Sequence, residues 1–435
     1  MIALLPLLLA GAPDTLRLGP GVHAGPLVIT RPTVLIGERR AVLRGTGAGS
    51  VLVIEAPGTT VRGLRIEHGG RNVDRDDAGV MVRADSVTLE DLVIRDVLFG
   101  VYLLKVRGAA LRRLDIEGPR GLPESQTGNG IHLHSSRDVA IADSRIAWMR
   151  DGMYFEYTDS VRVRGNRVSH VRFGLHYMFS HFNRFERNVF DGNAAGAVIM
   201  NSNGLVIEDN VFAWNAGGRS FGLVLQTATE PTVRGNLFVG NGTGTFFDNV
   251  VHGRYTGNLV AGNWLGLQLF DNSEATEVTG NAVVGNTFDA TGGSAPGAYV
   301  FCAGGRGNYW QSAKDEGYDL DGDGILDRPH QAGSPLAELA RAREGLRLFL
   351  GSPAAHALHW AERTFPAFSM DQAVDACPLA RAPMLGELAA LPPREGEGGT
   401  KGQYAVAMAS LAAGVGVLVA PVRRRAKARR RESAA

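Results

Sequence analysis

Apolar and polar residues alternate in a pattern that repeats along the middle of the chain. The segments GIHLH, GMYFE, GLHYM and GAVIM begin at Gly130, Gly152, Gly174 and Gly196, so the repeat is 22 residues long. A period of roughly 20 to 50 residues is typical of a solenoid, and the alternation after each glycine indicates a short strand. Residues one and three places after each glycine are almost all apolar, and we expect them to face the core.

Residues two and four places after each glycine are expected to face outward, and their chemistry is unusual for a surface. The first of these columns reads His132, Tyr154, His176 and Val198, and the second reads His134, Glu156, Met178 and Met200. An outer face ordinarily carries lysine, glutamate, threonine or serine. Histidine and methionine in register therefore indicate a binding surface.

Similar segments lie on both sides of these four. They begin at Gly79, Gly100, Gly222, Gly244, Gly266 and Gly297. Gly-Asn and Asp-Asn pairs recur at a second fixed phase, and both residue types tolerate the left-handed backbone of a sharp turn. The asparagines are expected to stack as a hydrogen-bonded ladder. The pattern predicts an all-β chain, with a parallel β-helix of about 10–12 rungs over residues 14–306, a rung being one circuit of the solenoid.

The repeat ends after residue 306, and four further regions follow. Residues 307–390 are predicted to form a cap with an Asp-rich loop and helices that begin at Ser334-Pro335 and Ser352-Pro353. A cap of this kind would cover the strand edges at the open end of the solenoid. Residues 391–402 read as a linker, and the 19 uncharged residues 404–422 as a transmembrane helix. A C-terminal sorting signal that is removed is the alternative for residues 404–422. Residues 423–435 form a basic tail, expected in the cytoplasm.

The N-terminus has the pattern of a short export signal. An apolar run leads to the small residues Ala10-Gly11-Ala12, so residues 1–12 are predicted to be a signal peptide, although a weak one without basic residues. A buried first strand is the alternative. Export would permit a disulfide. The two cysteines, Cys302 and Cys377, are candidates for one, and two buried thiols are the other interpretation.

The overall charge of the chain hides an uneven distribution. The net charge is +1, and the tail contributes +6 from seven Arg or Lys residues and one Glu, which leaves −5 for the rest. With a net charge of −5, the chain outside the tail lacks the excess of basic residues that is typical of a nucleic-acid-binding surface. The 57 glycines are nearly twice the usual share and fit a repeating turn.

Three C-terminal segments, together with the repeats, carry a family resemblance. They are GNYW (Gly307 to Trp310), GYDLDGDGILDRP (Gly317 to Pro329) and SPAAHALHWAERTFP (Ser352 to Pro366). Over residues from about 14 to 390 the chain resembles the NosD family, periplasmic maturation proteins of nitrous oxide reductase. The resemblance implies a right-handed parallel β-helix that is not an enzyme. It also implies partnership with the ABC transporter NosF/NosY and the copper chaperone NosL, to assemble the copper–sulfide centre of the reductase. The chain is predicted to be periplasmic and held at the inner membrane by its C-terminal helix, although such a tail is not a feature expected across the family.

The outward columns supply the candidate copper ligands: His132, His134, Glu156, His176, Met178 and Met200. Neighbouring strands lie about 4.8 Å apart, so these side chains can meet at one ion. Imidazole suits copper in either oxidation state, and thioether selects Cu(I). The hypothesis is a surface that holds copper transiently. The alternative is a partner-binding patch without metal, because methionine, histidine and tyrosine suit adaptable interfaces.

A second candidate metal site lies in the cap. The sequence matches the ligand positions of a calcium-binding loop. Positions 1, 3, 5 and 9 are Asp319, Asp321, Asp323 and Asp327, and position 7 is the carbonyl of Ile325. Position 12 is His330 instead of the usual glutamate. The hypothesis is a structural calcium ion, and a solvated Asp-Gly turn is the alternative.

The competing functional class is a carbohydrate-active β-helix enzyme: a polysaccharide lyase, epimerase or glycosidase. Such sites need clustered carboxylates. Where two acids act as a pair, their carboxyl groups lie about 5 to 9.5 Å apart. Glu156 and Asp248 stand four rungs apart in the outward column, too far to act together. Only Asp151 and Asp159, which border the Gly152 segment, could pair with Glu156. The sequence therefore favours an accessory protein.

Overall fold

The computed structural model describes residues 13–217, 220–315, 317–349, 352–354, 357–358, 361 and 373–383. The predicted signal peptide, linker, transmembrane helix and basic tail lie outside these residues, as do about half of the residues of the second predicted helix. No helix within the described ranges is long and apolar enough to cross a membrane. The chain is a parallel β-solenoid of about 13 rungs, divided into two compact units that meet in sequence at Arg184 and Phe185.

The first unit contains seven rungs, and each rung contributes one strand to each of three parallel sheets. In chain order the strands are β1 (Asp14–Leu18), β2 (Gly21–Ala24), β3 (Leu27–Ile29), β4 (Thr33–Gly37), β5 (Ala41–Arg44), β6 (Leu52–Ile54), β7 (Thr60–Arg62), β8 (Arg65–Glu67), β9 (Ala78–Val82), β10 (Thr88–Glu90), β11 (Val93–Arg95), β12 (Phe99–Leu104), β13 (Ala110–Arg112), β14 (Asp115–Glu117), β15 (Ile131–His134), β16 (Ala140–Ala142), β17 (Arg145–Ala147), β18 (Asp151–Glu156), β19 (Arg162–Arg164), β20 (Arg167–Ser169) and β21 (Phe173–Met178). Every third strand pairs in one sheet, so β3, β6, β9, β12, β15, β18 and β21 form the third sheet.

The second unit continues the same three-strand rung. Its strands are β22 (Arg184–Glu186), β23 (Val189–Asp191), β24 (Ala195–Asn203), β25 (Val206–Glu208), β26 (Val211–Ala213), β27 (Phe221–Thr229), β28 (Thr232–Arg234), β29 (Leu237–Val239), β30 (Thr243–Val251), β31 (Arg254–Thr256), β32 (Leu259–Ala261), β33 (Leu265–Leu269), β34 (Thr276–Thr279), β35 (Ala282–Val284), β36 (Phe288–Gly292), β37 (Tyr299–Val300) and β38 (Tyr309–Trp310), and β39 (His330–Gln331) and β40 (Val374–Asp375) form a separate antiparallel pair. The helical segments with described bounds are α1 (Pro335–Ala342) and four 3₁₀ segments: Val73–Arg75, Glu124–Gln126, Gln311–Asp315 and Glu344–Phe349.

The all-β parallel solenoid is confirmed, but it has more rungs than predicted. The first rungs lack the glycine-led segment, because their short strands β1 to β8 follow turns of other composition. The glycine spacing therefore does not reveal these rungs. The last strand of the solenoid, β38, also lies beyond the predicted end at residue 306. The helix predicted to begin at Ser334-Pro335 extends from Pro335 to Ala342, and a 3₁₀ segment follows.

The recurring glycine has a steric cause. A Cβ at Gly130 would lie 2.6 Å from the carbonyl oxygen of Gly152 and 2.4 Å from a methyl group of Ile146. At Gly152 the corresponding distances are 2.6 Å, to the carbonyl oxygen of Gly174, and 2.2 Å, to Val168. A side chain cannot approach so closely without displacing backbone. Glycine is therefore required wherever the chain enters the third sheet in these rungs.

The predicted asparagine ladder is confirmed in the second unit. Asn258 donates from Nδ2 to Oδ1 of Asn281 at 3.0 Å, and its own Oδ1 accepts from the backbone and side chain of Asn236. The ladder ends on Asn308, whose backbone nitrogen donates to the buried carboxylate of Asp375 at 2.7 Å. The indole of Trp310 donates to the same carboxylate at 2.9 Å. Buried amide groups are thus paired with one another instead of with water.

A disulfide and a short segment close the end of the solenoid. Cys302 and Cys377 are joined by a disulfide across 75 residues of sequence. The backbone nitrogen of Gly307 donates to the carbonyl of Cys377 at 2.8 Å. A Cβ at Gly307 would clash with Asp375 at 2.0 Å. Gly307, the first residue of the GNYW segment, therefore leaves room for the carboxylate of Asp375, which ends the ladder.

Candidate functional site

The outward face of the third sheet in the first unit contains most of the predicted site residues. Strands β12, β15, β18 and β21 place Tyr102, His132, Tyr154 and His176 opposite one another in one column, and Leu104, His134, Glu156 and Met178 in the next. Inward residues of the same strands are buried. The in-out alternation read from the sequence therefore agrees with the observed register.

The first column is a stack of aromatic rings with His132 at its centre. Its imidazole lies 4.2 Å from the Tyr102 ring, nearly parallel to it, and 4.7 Å from the Tyr154 ring. Nδ1 lies 3.1 Å from Nδ2 of Asn129. Nε2 is buried and has no hydrogen-bond partner among the described residues. Burial, which penalises the charged form, lowers the pKa of His132 to about 3, so the ring is neutral.

His176, at the other end of this column, is fixed by a buried carboxylate. Its Nδ1 lies 3.1 Å from Oδ2 of Asp151, and Arg172 donates to the same carboxylate at 2.7 and 2.8 Å. Burial would raise the pKa of Asp151, but the hydrogen bonds from His176 and Arg172 outweigh it and hold that pKa below its ordinary value. Arg172 also reaches Glu124, at 3.2 Å, in the loop inserted before β15. His176 is therefore held in one orientation by an ionised partner.

The second column contains the more accessible donor groups. Nδ1 of His134 lies 3.2 Å from Oε2 of Glu156, and both side chains are partly exposed, at 31% and 25%. Met178 stands opposite Glu156 on the next strand. In metal sites, a ligating histidine commonly donates its other ring nitrogen to a carboxylate, which fixes the tautomer. His134 and His176 both have that arrangement, so Nε2 is the nitrogen left as a ligand.

Met200 belongs to the second unit, where it lies on β24 opposite Gln226. Its meeting with Met178 at one ion stays a prediction. The five candidate copper ligands of the first unit thus have three local settings: an aromatic stack for His132, a buried ion pair for His176, and an open edge for His134, Glu156 and Met178. We call this last set the donor edge.

Sequence reasoning missed the residues that cover this face. Asp76, from the loop inserted before β9, accepts a hydrogen bond from the Tyr102 hydroxyl, and burial raises the pKa of both groups, that of Tyr102 to about 12. The spacing in the sequence also did not indicate that Arg172 binds the carboxylate of Asp151. The available signals were the two insertions and the acid directly before Gly152.

Asp151 also bears on the carbohydrate-enzyme alternative. A paired-acid mechanism needs one carboxyl group that is protonated near neutral pH. Asp151 is fully buried, bound to Arg172 and His176, and its pKa is lowered. Asp159 accepts from the backbone nitrogen of His181 at 2.7 Å, in the turn beyond Glu156. The geometry offers Asp151 as a structural anion and not as a proton donor.

The Asp-rich loop gathers three carboxylates. Ligand atoms of Asp319, Asp321 and Asp323 lie within 4.8 Å of one another, the only such group of three His, Cys, Asp or Glu residues in the described part of the chain. Asp327 instead accepts from the backbone nitrogen of Leu320 at 2.9 Å. His330 is buried against Trp310, and burial lowers its pKa to about 4. Calcium at this loop stays a prediction.

Comparison with known proteins identifies the relatives of the chain. The family model described as "Periplasmic copper-binding protein (NosD)" matches residues 112–322. A Pseudomonas aeruginosa protein named "Probable ABC transporter binding protein NosD" is 37% identical over 388 residues, which cover 84% of this chain and 88% of the relative. A protein of the same name from Stutzerimonas stutzeri is 32% identical, over 84% of this chain and 87% of that one. Among solved structures, the A-module of the Azotobacter vinelandii mannuronan C-5 epimerase AlgE6 is 12% identical, with a TM-score of 0.45 over 67% of this chain and 90% of that chain.

Each curated relative matches 84% of the chain, and the range of the family model, residues 112–322, includes the strands of the donor edge. Identity of this degree over most of both sequences is sufficient to establish common membership. The chain belongs to the NosD family.

Proposed function

We propose that this chain is a periplasmic accessory protein, without an enzymatic activity of its own, that takes part in assembling the copper–sulfide centre of nitrous oxide reductase. It works with the ABC transporter NosF/NosY and receives Cu(I) from the copper chaperone NosL. The names of the relatives, which refer to an ABC transporter and to NosD, support the partnership. The description of the family as periplasmic and copper-binding supports the cargo and the location.

The observation that carries the proposal is the donor edge. His134, Glu156 and Met178 occupy one register column on three adjacent strands. An imidazole beside a thioether is a soft donor pair that suits Cu(I). The partial exposure of His134 and Glu156 would let a bound ion leave again. The edge is thus suited to a cargo ion in transit, whereas a resident metal would be enclosed.

Binding of Cu(I) by the purified protein tests the proposal directly. The triple variant His134→Ala/Met178→Ala/Met200→Ala is expected to lose the Cu(I) that the wild type binds in competition with a chromophoric chelator. His23→Ala, which alters a histidine of the first rungs, is the matched control and should bind as the wild type does. An unchanged stoichiometry in the triple variant would reject the metal role and favour a metal-free partner patch.

Partnership is tested separately, by affinity capture of the full chain from membranes of cells that express the whole system. The proposal expects an ABC transporter and a copper reductase in the captured material. We also propose that residues 404–422 anchor the chain at the inner membrane, so that their deletion should release it into the periplasmic fraction. Turnover of uronate polymers by the purified chain would instead support the carbohydrate-enzyme alternative.

A further inference from the structure

One row of turns on the first unit contains bulky aromatic residues where the fold accepts small polar ones. In several successive rungs the residue five places after the recurring glycine is in the left-handed region, and in two neighbouring rungs that residue is Tyr157 (φ 51°) or Phe179 (φ 49°). The same position is held with φ between 51° and 56° by residues of other kinds: Lys105, Ser135, Asn201, Thr227 and Asn249. Large side chains are uncommon in this region of backbone space. The solenoid therefore does not require aromatic residues here.

A third aromatic residue stands three positions later. Phe182 has φ 55°, where the preceding rungs place Ser160, Asp138 and Gly108. The Tyr157 and Phe179 rings are stacked, with centroids 5.5 Å apart and planes 12° apart. Tyr157, Phe179 and Phe182 are 55%, 41% and 68% exposed. We call these three residues the aromatic patch. Clustered exposed aromatics are typical of protein interfaces, where they act as anchors.

The aromatic patch is continuous with the donor edge. Tyr157 directly follows Glu156, and Phe179 directly follows Met178. The backbone nitrogen of Tyr157 donates to the carbonyl of Met178 at 3.3 Å. The His134 ring contacts the Tyr157 ring edge-on, with centroids 6.1 Å apart. A partner seated on the aromatic patch would therefore cover the proposed copper position.

Basic side chains lie along the same row of turns, and they indicate the charge that a partner should carry. Arg107 and Arg137 stand opposite each other as bridged residues of adjacent rungs, and both are exposed, as is Lys105. Arg107 lies 3.8 Å from Asp138. Lys105 and Arg137 have no ion pair with any described residue within 4.0 Å. A partner that covers the row from its aromatic to its basic end needs carboxylates beside its apolar surface.

We propose that the aromatic patch is the docking surface for the protein that delivers Cu(I), and that this partner presents methionine side chains bordered by acidic residues. The inference depends on the proposed function, since the cargo defines the partner. Methionine sulfur packs favourably about 5 Å from an aromatic ring and is also a Cu(I) ligand. Contacts with Tyr157 and Phe179 would thus hold the donor protein's thioethers next to Met178.

The test uses substitutions that the fold already contains at equivalent positions. In the full-length variant Tyr157→Ser/Phe179→Asn/Phe182→Ser, each aromatic residue is replaced by a small polar one such as other rungs have there. Titration with purified Cu(I)-loaded NosL should give a dissociation constant at least tenfold higher than for the wild type. Stoichiometric Cu(I) binding by the variant alone should be unchanged. Val22→Ser/Val28→Ser, which alters exposed apolar residues of the first rung, is the control and should dock normally.

Charge reversal and self-association provide two further measurements. Lys105→Glu/Arg137→Glu should slow association with NosL and reduce its dependence on salt. Equal affinity of the aromatic variant and the wild type for NosL would overturn the docking inference, while the donor edge could still bind Cu(I). A dimer of the wild type in light scattering that the aromatic variant fails to form would also overturn it, because the occupant would then be a second copy. Failure of the proposed function appears differently, as absent Cu(I) binding by the wild type.

Discussion

The stacked imidazole of His132 should make the first unit sensitive to mild acid. Its pKa in the folded chain is about 3, against about 6.5 in an unfolded chain. Below pH 6.5 the His132 imidazole therefore binds a proton in the unfolded chain but stays neutral in the folded chain. The free energy of unfolding falls as the pH falls towards 3. At pH 5 the pH lies about 1.5 units below the pKa of the unfolded imidazole. The free energy of unfolding is therefore about 2 kcal/mol lower than at neutral pH.

The variant His132→Phe isolates this contribution. Phenylalanine can keep the stack with Tyr102 and Tyr154 but cannot titrate. Urea unfolding of metal-free protein at pH 7 and pH 5 gives the pH-dependent loss for each protein, and that loss should be about 2 kcal/mol smaller in the variant. Other groups that titrate in this window, among them His330, are present in both proteins and cancel. Asp151 does not contribute, since its lowered pKa moves its effect below pH 4.

The result that refutes this reasoning is an equal loss of stability in both proteins between pH 7 and pH 5. A direct check is the nuclear magnetic resonance titration of the His132 ring proton. Its chemical shift should stay constant from pH 7.5 to pH 4.5. A midpoint near 6.5 would mean that the ring is solvated in solution.

Three further predictions concern stability. Asn258→Ala removes four hydrogen bonds of the Asn258 side chain, three of them within the ladder, and should cost about 2–4 kcal/mol in urea unfolding, since buried partners are left unpaired. A loss below about 0.5 kcal/mol would contradict the pairing. Reduction of the disulfide between Cys302 and Cys377, which closes 75 residues, should lower the unfolding free energy by roughly 4 kcal/mol in the chain-entropy model, and Cys302→Ser/Cys377→Ser should not respond to reductant. Chelator should lower the melting temperature of the wild type but not of Asp321→Asn/Asp323→Asn, and no shift in the wild type would count against a calcium ion.

Much of the fold was predictable because a solenoid repeats its constraints. The 22-residue spacing follows from recurring glycines such as Gly130 and Gly152, which lie against the backbone of the next rung, and the strand alternation after each one identifies the inward face. The asparagine ladder follows from the same repetition. What the pattern understated was the number of rungs, because β1 to β8 form the same sheets without the glycine signature.

The candidate site was predictable in its columns but not in its local environments. Spacing placed His132, His134 and His176 on one face, as the register has them. It could not distinguish their states. His132 is enclosed by aromatic rings from two neighbouring strands, and His176 is bound to Asp151, which precedes it by 25 residues.

The sequence by itself determined the period, the parallel pairing, the residues that face outward and the family, because each of these depends on order along the chain and on backbone sterics. The tertiary structure alone decided which outward residues are available. Burial and partners come from side chains on other rungs and from the inserted loops, as Asp76 on Tyr102 and Glu124 on Arg172 show. The row of histidines and methionines thereby divides into a covered stack and an open edge, and the aromatic residues in the turns beyond that edge become a surface.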